Sequence, residues 1–360
     1  MRKAVRKLHL WLGLSLGCLL VLLGLTGSLL VFYTEIDGLL HPEIAVQQSA
    51  APDWDRALLT VRSAYPQKTG PWRFEVKGDG RAIPARYYNP PETAGRDFAP
   101  MMIWLAPDGS RILRRDFWGD YAMTFIYDLH YRLLLGKTGA VVVGYSGLAI
   151  FLLLLSGLWA WWPRGSLRKA LKLKLNGATI RRLRDQHKMT GLISLLPMLL
   201  LSATGVALSL PEETEAVLRA TVGPIEQESV PQMSAKNGTP ISVQQAVSLA
   251  QIRLPDAKVR WIYVPGAGDG LFTIRMQQPG DPSDRFPHSF VHLDKYDGRI
   301  VAVSDTTKAG ASSTVLNWLH PLHDGSAGGI FLRVLWALLG LAPLILAWTG
   351  WRRWQLRQKV

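Results

Sequence analysis

Four of the eight histidines in this 360-residue chain fall at matched places. His9 and His187 each precede an apolar run, with glycine four residues on (Gly13, Gly191) and Thr-Gly at plus 17 and plus 18 (Thr26-Gly27, Thr204-Gly205). His130 and His323 head two further runs, with glycines at plus 6 (Gly136, Gly329), plus 17 (Gly147, Gly340) and plus 27 (Gly157, Gly350). Neutral imidazole is the commonest protein metal ligand, and two imidazoles converging from opposite sides suit the axial positions of a haem. A single histidine at a membrane boundary can merely sit among headgroups or cap a helix. The arrival of these four in matched pairs is what makes His9, His187, His130 and His323 candidate ligands to haem iron.

The elements that must position them are four apolar runs: His9 to Phe32, Val141 to Trp162, Leu192 to Leu210 and Ile330 to Trp351. Each is near the ~20 residues needed to cross ~30 Å of hydrocarbon as a helix. One unit, a histidine-headed span, a polar region and a second such span, is written twice. The expected fold is a membrane all-α bundle of four spans, two tandem two-span repeats related by a pseudo-twofold axis along the membrane normal. A ligand near that axis receives one residue from each repeat. Within a repeat, His9 and His130 are separated by a whole span, about 30 Å at 1.5 Å per residue, so His9 pairs with His187 and His130 with His323. Cys18 is the only cysteine, which excludes CxxCH attachment and any intrachain disulfide, so a haem would be held without covalent bonds.

The formal charge of +14 does not call for nucleic acid. Seventeen basic residues and one acid, Asp185, sit before the first run, between the second and third (Arg164 and Lys174 among them) and after the last (Lys359 included). The rest of the chain carries 24 basic and 26 acidic residues. This alternation follows the positive-inside rule and places both termini and the 163–187 loop in the cytoplasm. The basic start also resembles a secretory signal, but the run is long and lacks a clean small-x-small site, which favours an uncleaved span. Trp159, Trp161, Trp162, Trp351 and Trp354 form an interfacial belt. Pro197 and Pro343 are expected to kink the third and fourth spans.

The expected boundaries are 1–33 (tail and first span), 34–129 (first outer region), 130–162 (second span), 163–187 (basic loop), 188–210 (third span), 211–322 (second outer region) and 323–360 (fourth span and tail). Each outer region reads as a helix followed by alternating strands. DWDRALLTVRSAYP is capped by Asp53 and precedes WRFEVKG, AIPARYY, MMIWLA and RILRRDF. ISVQQAVSLAQIRLP precedes VRWIYVP, GLFTIRMQ, HSFVHLD and RIVAVSD. Two small α+β modules, one per repeat, are the expectation, with a longer mobile loop among the Gly, Pro and Asp residues of 265–284.

Gly13, Gly17, Gly191, Gly136, Gly139, Gly328 and Gly329 lie on turns that a flat macrocycle would approach, or they pack helices closely. His320, one turn before His323, is its alternative as ligand. His288 and His292 share a strand face and read as surface residues, with contact to substrate or metal as the sharper possibility. His41 reads as structural. No GxGxxG, P-loop, HExxH or Ser/His/Asp arrangement occurs, so electrons would come from another molecule. No catalytic residue stands out.

The order LHLWLGL…LTGSLLVF, outer region, LHYRLLLG…SGLWAWWPR and a second copy resembles the PepSY-associated transmembrane proteins of bacteria. Within them it resembles the iron-regulated inner-membrane group that includes ferric-siderophore (ferrioxamine-type) reductases. The resemblance implies four spans, two b-type haems on His9, His187, His130 and His323, and two periplasmic PepSY-like modules. It further implies reduction of siderophore-bound ferric iron. The sequence does not identify the electron donor, for which quinol and a cytoplasmic reductase are the two candidates. Two other functions fit parts of the pattern: a non-enzymatic binding or regulatory protein whose spans only anchor it, and an accessory to siderophore transport.

Overall fold

The computed structural model describes residues 2–46, 51–163, 165–172, 178–225, 238–268 and 270–358, so Arg164, Lys174 and Lys359 lie outside the described residues. In chain order the helices are α1 (Arg2–Leu30), α2 (Tyr33–Leu40), α3 (Trp54–Ala64), α4 (Ala122–Arg132), α5 (Gly136–Trp161), α6 (Leu167–Ala170), α7 (Thr179–Ser209), α8 (Pro211–Thr221), α9 (Val243–Arg253), α10 (Ala311–Asp324), α11 (Gly329–Leu339) and α12 (Ala342–Gln358). The strands are β1 (Trp72–Glu75), β2 (Ile83–Tyr87), β3 (Met101–Leu105), β4 (Ile112–Phe117), β5 (Lys258–Val264), β6 (Leu271–Gln277), β7 (Ser289–Asp294) and β8 (Ile300–Ser304). They form two compact units, one of residues 1–33, 126–214 and 322–360, the other of 34–125 and 215–321.

The first unit is a helical bundle. Four stretches in it are long and apolar enough to cross a membrane, of 29, 26, 31 and 33 residues. α1 packs on α5 and α12, and α7 packs on the same two helices. Its interior joins Ile150 and Leu154 of α5 to Met198 of α7 and Ala342 of α12, with Leu16, Leu20 and Leu23 of α1 against them. Large apolar side chains such as Trp11, Ile193, Leu196 and Phe331 point outward, as surfaces that meet lipid do. The fourth span is not one kinked helix. It breaks at Gly340-Leu341 into α11 and α12, because Pro343 lacks an N–H and its ring crowds the carbonyl of Leu339. α7 runs unbroken through Pro197.

Two expectations about the spans need correction. His130 and His323 do not head α5 and α11. They lie in the last turns of the separate helices α4 and α10. His9 and His187 lie inside α1 and α7, each about two turns from the start. The break after His130 is made by Leu133 (φ 50°) and Leu134 (φ 59°), after which Gly136 opens α5 at φ 58°. Gly329 opens α11 at the same φ of 58°, which explains the glycine at plus 6: a side chain there would be strained. Leucine in the left-handed region costs about 1–2 kcal/mol, and Leu134 is half exposed with little packing to lose. Leu134→Gly is therefore expected to raise the thermal midpoint of the detergent-solubilised protein, by up to about 1 kcal/mol of stability after the entropy cost of glycine.

The second unit holds an eight-stranded antiparallel sheet of order β4-β3-β2-β1-β5-β6-β7-β8. Two small α+β modules, one per repeat, were expected; β1 and β5 pair and join the strands of both regions into one sheet, with Arg73 opposite Tyr263 and Phe74 opposite Ile262. An unpaired edge strand is an aggregation hazard, and this pairing removes the edge that each half would expose. α3 and α9 cover one face, and Trp54, Val61, Trp72, Phe74, Ile262, Val264, Ala246 and Ala250 share one core. The helix starts are built as their sequences suggest. Asp53 accepts from Arg56 N at 2.9 Å, and Ser242 with Gln245 forms a capping box. Asp55 of α3 also accepts from Val243 N at 2.7 Å, which ties the two helices together. The loop expected over 265–284 contains β6 and shrinks to connections on either side of it.

Candidate haem-ligand site

The first unit brings the four histidines together as two couples. The His9 and His187 ring centroids are 6.2 Å apart with planes at 85°. Those of His130 and His323 are 6.2 Å apart at 51°. Metal–imidazole bonds run about 2.0–2.1 Å, with the ring centre about 1.2 Å behind the bonded nitrogen, so imidazoles on opposite sides of one metal hold their centres about 6.4 Å apart. Both couples match that separation. His320 lies elsewhere, its ring edge-on to Phe286 at 5.0 Å.

Each ring is held in the same way. Nδ1 of His9 lies 3.1 Å from Ser156 Oγ and 3.2 Å from the Leu153 carbonyl. Nδ1 of His187 lies 3.1 Å from both Thr349 Oγ1 and the Leu346 carbonyl. Nδ1 of His130 is 2.9 Å from Thr26 Oγ1, and that of His323 is 3.0 Å from Thr204 Oγ1. Every one of these hydroxyls already donates its proton to a carbonyl one turn back: Ser156 to Leu153 (2.7 Å), Thr349 to Ile345 (2.6 Å), Thr26 to Leu22 (2.7 Å) and Thr204 to Leu200 (2.8 Å). With its proton spent, a hydroxyl can only accept. The network thus assigns the proton to Nδ1 in all four rings and the ligating lone pair to Nε2.

A glycine follows each hydroxyl residue and lies under the ring. A methyl group would stand 2.8 Å from His9 Cε1 at Gly157, 3.1 Å from His130 Cε1 at Gly27, 3.0 Å from His323 Cε1 at Gly205 and 3.4 Å from His187 Cε1 at Gly350. The repeated Thr-Gly and plus-27 glycines are therefore ring seats, and α1 seats the histidine of α4 while α5 seats that of α1. A methyl group at Gly13, Gly17 or Gly191 would make ordinary contact with a neighbouring helix, with Leu153 at 4.0 Å, Ala347 at 3.9 Å and Leu346 at 3.6 Å, which is close helix packing. Gly139 and Gly328 instead crowd their own chain, against Arg132 and Leu332.

The remaining histidines belong to the second unit. His292 is buried rather than on the surface, with Nδ1 2.9 Å from Thr273 Oγ1 and its ring stacked on Phe290. His288 Nδ1 is 2.7 Å from Asn317 Oδ1. His41 lies 3.2 Å from Glu43 Oε1 and edge-on to Tyr121. Among the described residues no group of three or more His, Cys, Asp or Glu could hold a metal ion. Donor type, ring separation and the hydroxyl behind each Nδ1 fit a six-coordinate haem at each couple.

Residues 6–357 match the PepSY-associated TM region. No curated protein matches the chain.

Proposed function

The chain belongs to the PepSY-associated transmembrane family, and on that footing we propose that it is a di-haem b oxidoreductase. In this reading it lies in the bacterial inner membrane with both termini in the cytoplasm and its sheet in the periplasm, where it reduces a ferric siderophore. His9 and His187 would hold one haem and His130 and His323 the other. Bound there, haem supplies a one-electron iron couple, and near-symmetric imidazole pairs suit electron transfer over oxygen binding.

The observation that carries the reading is the serine or threonine oxygen within hydrogen-bond distance of Nδ1 in all four rings. Each hydroxyl keeps its histidine's Nδ1 protonated, so Nε2 is presented as a ligand, and each glycine lets the ring seat against its neighbouring helix. Histidines that merely capped helices or faced headgroups would have no reason to share this arrangement four times. Electrons would come from quinol or a cytoplasmic reductase. The substrate is a hard-oxygen chelate, which holds ferrous iron less well than ferric. The reading is tested by haem stoichiometry on the purified protein, two per chain, together with capture of ferrous iron by a colorimetric chelator when reduced protein meets a ferric siderophore.

The hydroxyl seats give a further expectation. Loss of a hydrogen-bond partner behind a ligating histidine typically costs about 10–100-fold in metal affinity. Thr26→Val and Thr204→Val are expected to speed haem transfer to an apo-haem acceptor by that order, and Thr→Ser at either place to leave it near the parent rate.

A further inference from the structure

The sheet face turned away from α3 and α9 is unlike the rest of the second unit. Alternation along the strands puts Arg73 of β1, Arg86 of β2 and Arg275 of β6 on it, around Trp261 and Tyr263 of β5. Arg73 and Arg86 are direct partners in register, although like charges opposite one another destabilise a sheet. The Arg73 guanidinium lies 3.8 Å from the Trp261 ring centre and 4.4 Å from that of Tyr263. Arg86 lies 5.2 Å from Trp261, and Arg275 lies 5.0 Å from Phe290. Arg73 donates to Tyr88 OH at 2.9 Å and Arg275 to the Pro287 carbonyl.

These contacts leave donors over. Nε and Nη2 of Arg73 and Nε of Arg86 are buried without a hydrogen-bond acceptor, and Arg86 as a whole is 7% exposed. The nearest acids pair with other arginines, Glu75 with Arg285 at 3.2 Å and Asp284 with Arg260 at 3.4 Å, while Glu75 also acts on Arg73 and Arg86, and Asp281 on Arg275, through charge alone. Among the described residues no acid comes within ion-pair distance of Arg73, Arg86 or Arg275. Burying charged donors unsatisfied is costly, and guanidinium is the fork that carboxylate and phosphate oxygens match in pairs. Stacked aromatic rings hold the forks in place and complement a flat ligand. Both halves of the sheet contribute, so the patch exists only because β1 pairs with β5.

We propose that this arginine and aromatic face binds an oxygen-rich anion, and that the chelate the protein reduces is of the anionic carboxylate class. The second clause rests on the proposed reductase function; the first does not. The test uses gallium(III) citrate, which cannot be reduced in place of iron, titrated calorimetrically into the full-length protein in detergent, beside free citrate, inorganic phosphate and a cationic gallium trihydroxamate. The citrate complex is expected to bind more tightly than the other three and more weakly as salt rises. Loss of one charge-assisted contact in Arg73→Gln or Arg86→Gln is expected to weaken it about ten-fold. Arg73→Lys, which keeps the charge and loses the fork, falls between and guards against misfolding of the glutamine variants. No anion binding by the parent protein, or binding unaffected by Arg73→Lys and both glutamine changes, would overturn the site. Equal affinity for phosphate or for the trihydroxamate would overturn the chelate assignment. Citrate-complex binding by a protein that carries no haem would sink the reductase reading and leave the site standing. Reduction of ferric citrate that is unchanged in Arg73→Gln and Arg86→Gln would do the reverse.

Discussion

Replacing His130 and His323 together by alanine is expected to remove about half the haem per chain and to leave the other half with an unaltered spectrum. His9→Ala with His187→Ala does the same to the other half. The expectation follows from geometry: each couple is a self-contained pair of rings 6.2 Å apart, seated on its own hydroxyl and glycine residues. A single change such as His323→Ala leaves its site five-coordinate at best, so a partial loss with a high-spin shift in the absorption spectrum is expected. Both double variants should stop reduction of a ferric chelate while the protein still inserts and purifies, because the bundle's packing is carried by leucines, Met198 and Ala342 rather than by the rings. Haem content counted by pyridine haemochrome decides it. Full haem in either double variant would remove the histidines from the account.

Phe74→Ala has the largest expected effect on stability. The ring is fully buried at the β1–β5 seam, opposite Ala85 on one side and Ile262 on the other, with Trp54 6.3 Å away. Truncating a buried phenylalanine costs about 3–5 kcal/mol, a large part of a domain's net stability. Because strands of both halves share one sheet and one core, amide protection is expected to fall together in β1 to β4 and in β5 to β8. Loss confined to β1 to β4 would show two independent modules and contradict the shared sheet.

Much of this arrangement could be read from the chain. Apolar runs and basic clusters announced the four spans, and caps at Asp53 and Ser242 marked α3 and α9. The seam was hidden because β1 and β5 are alternating strands that pair across nearly two hundred residues, and nothing local says which edge meets which. The break before α5 was hidden too, since left-handed leucines at 133 and 134 carry no sequence signal. At the site the histidine couples followed from spacing, yet the role of the glycines did not. The Thr26-Gly27 and Thr204-Gly205 pairs were in view; the missed signal was that Ser156 and Thr349 stand before Gly157 and Gly350 in the same way. Serine and threonine bonding back to their own helix are common in spans, so each looked ordinary until its neighbour's ring was seen above it.

The most direct test is an absorption spectrum of the purified protein before and after dithionite. Two b-type haems with bis-imidazole ligation should give a strong Soret band that sharpens and shifts on reduction, with distinct α and β bands. A protein that is well folded, by circular dichroism, and colourless at stoichiometric concentration would contradict the account at its root.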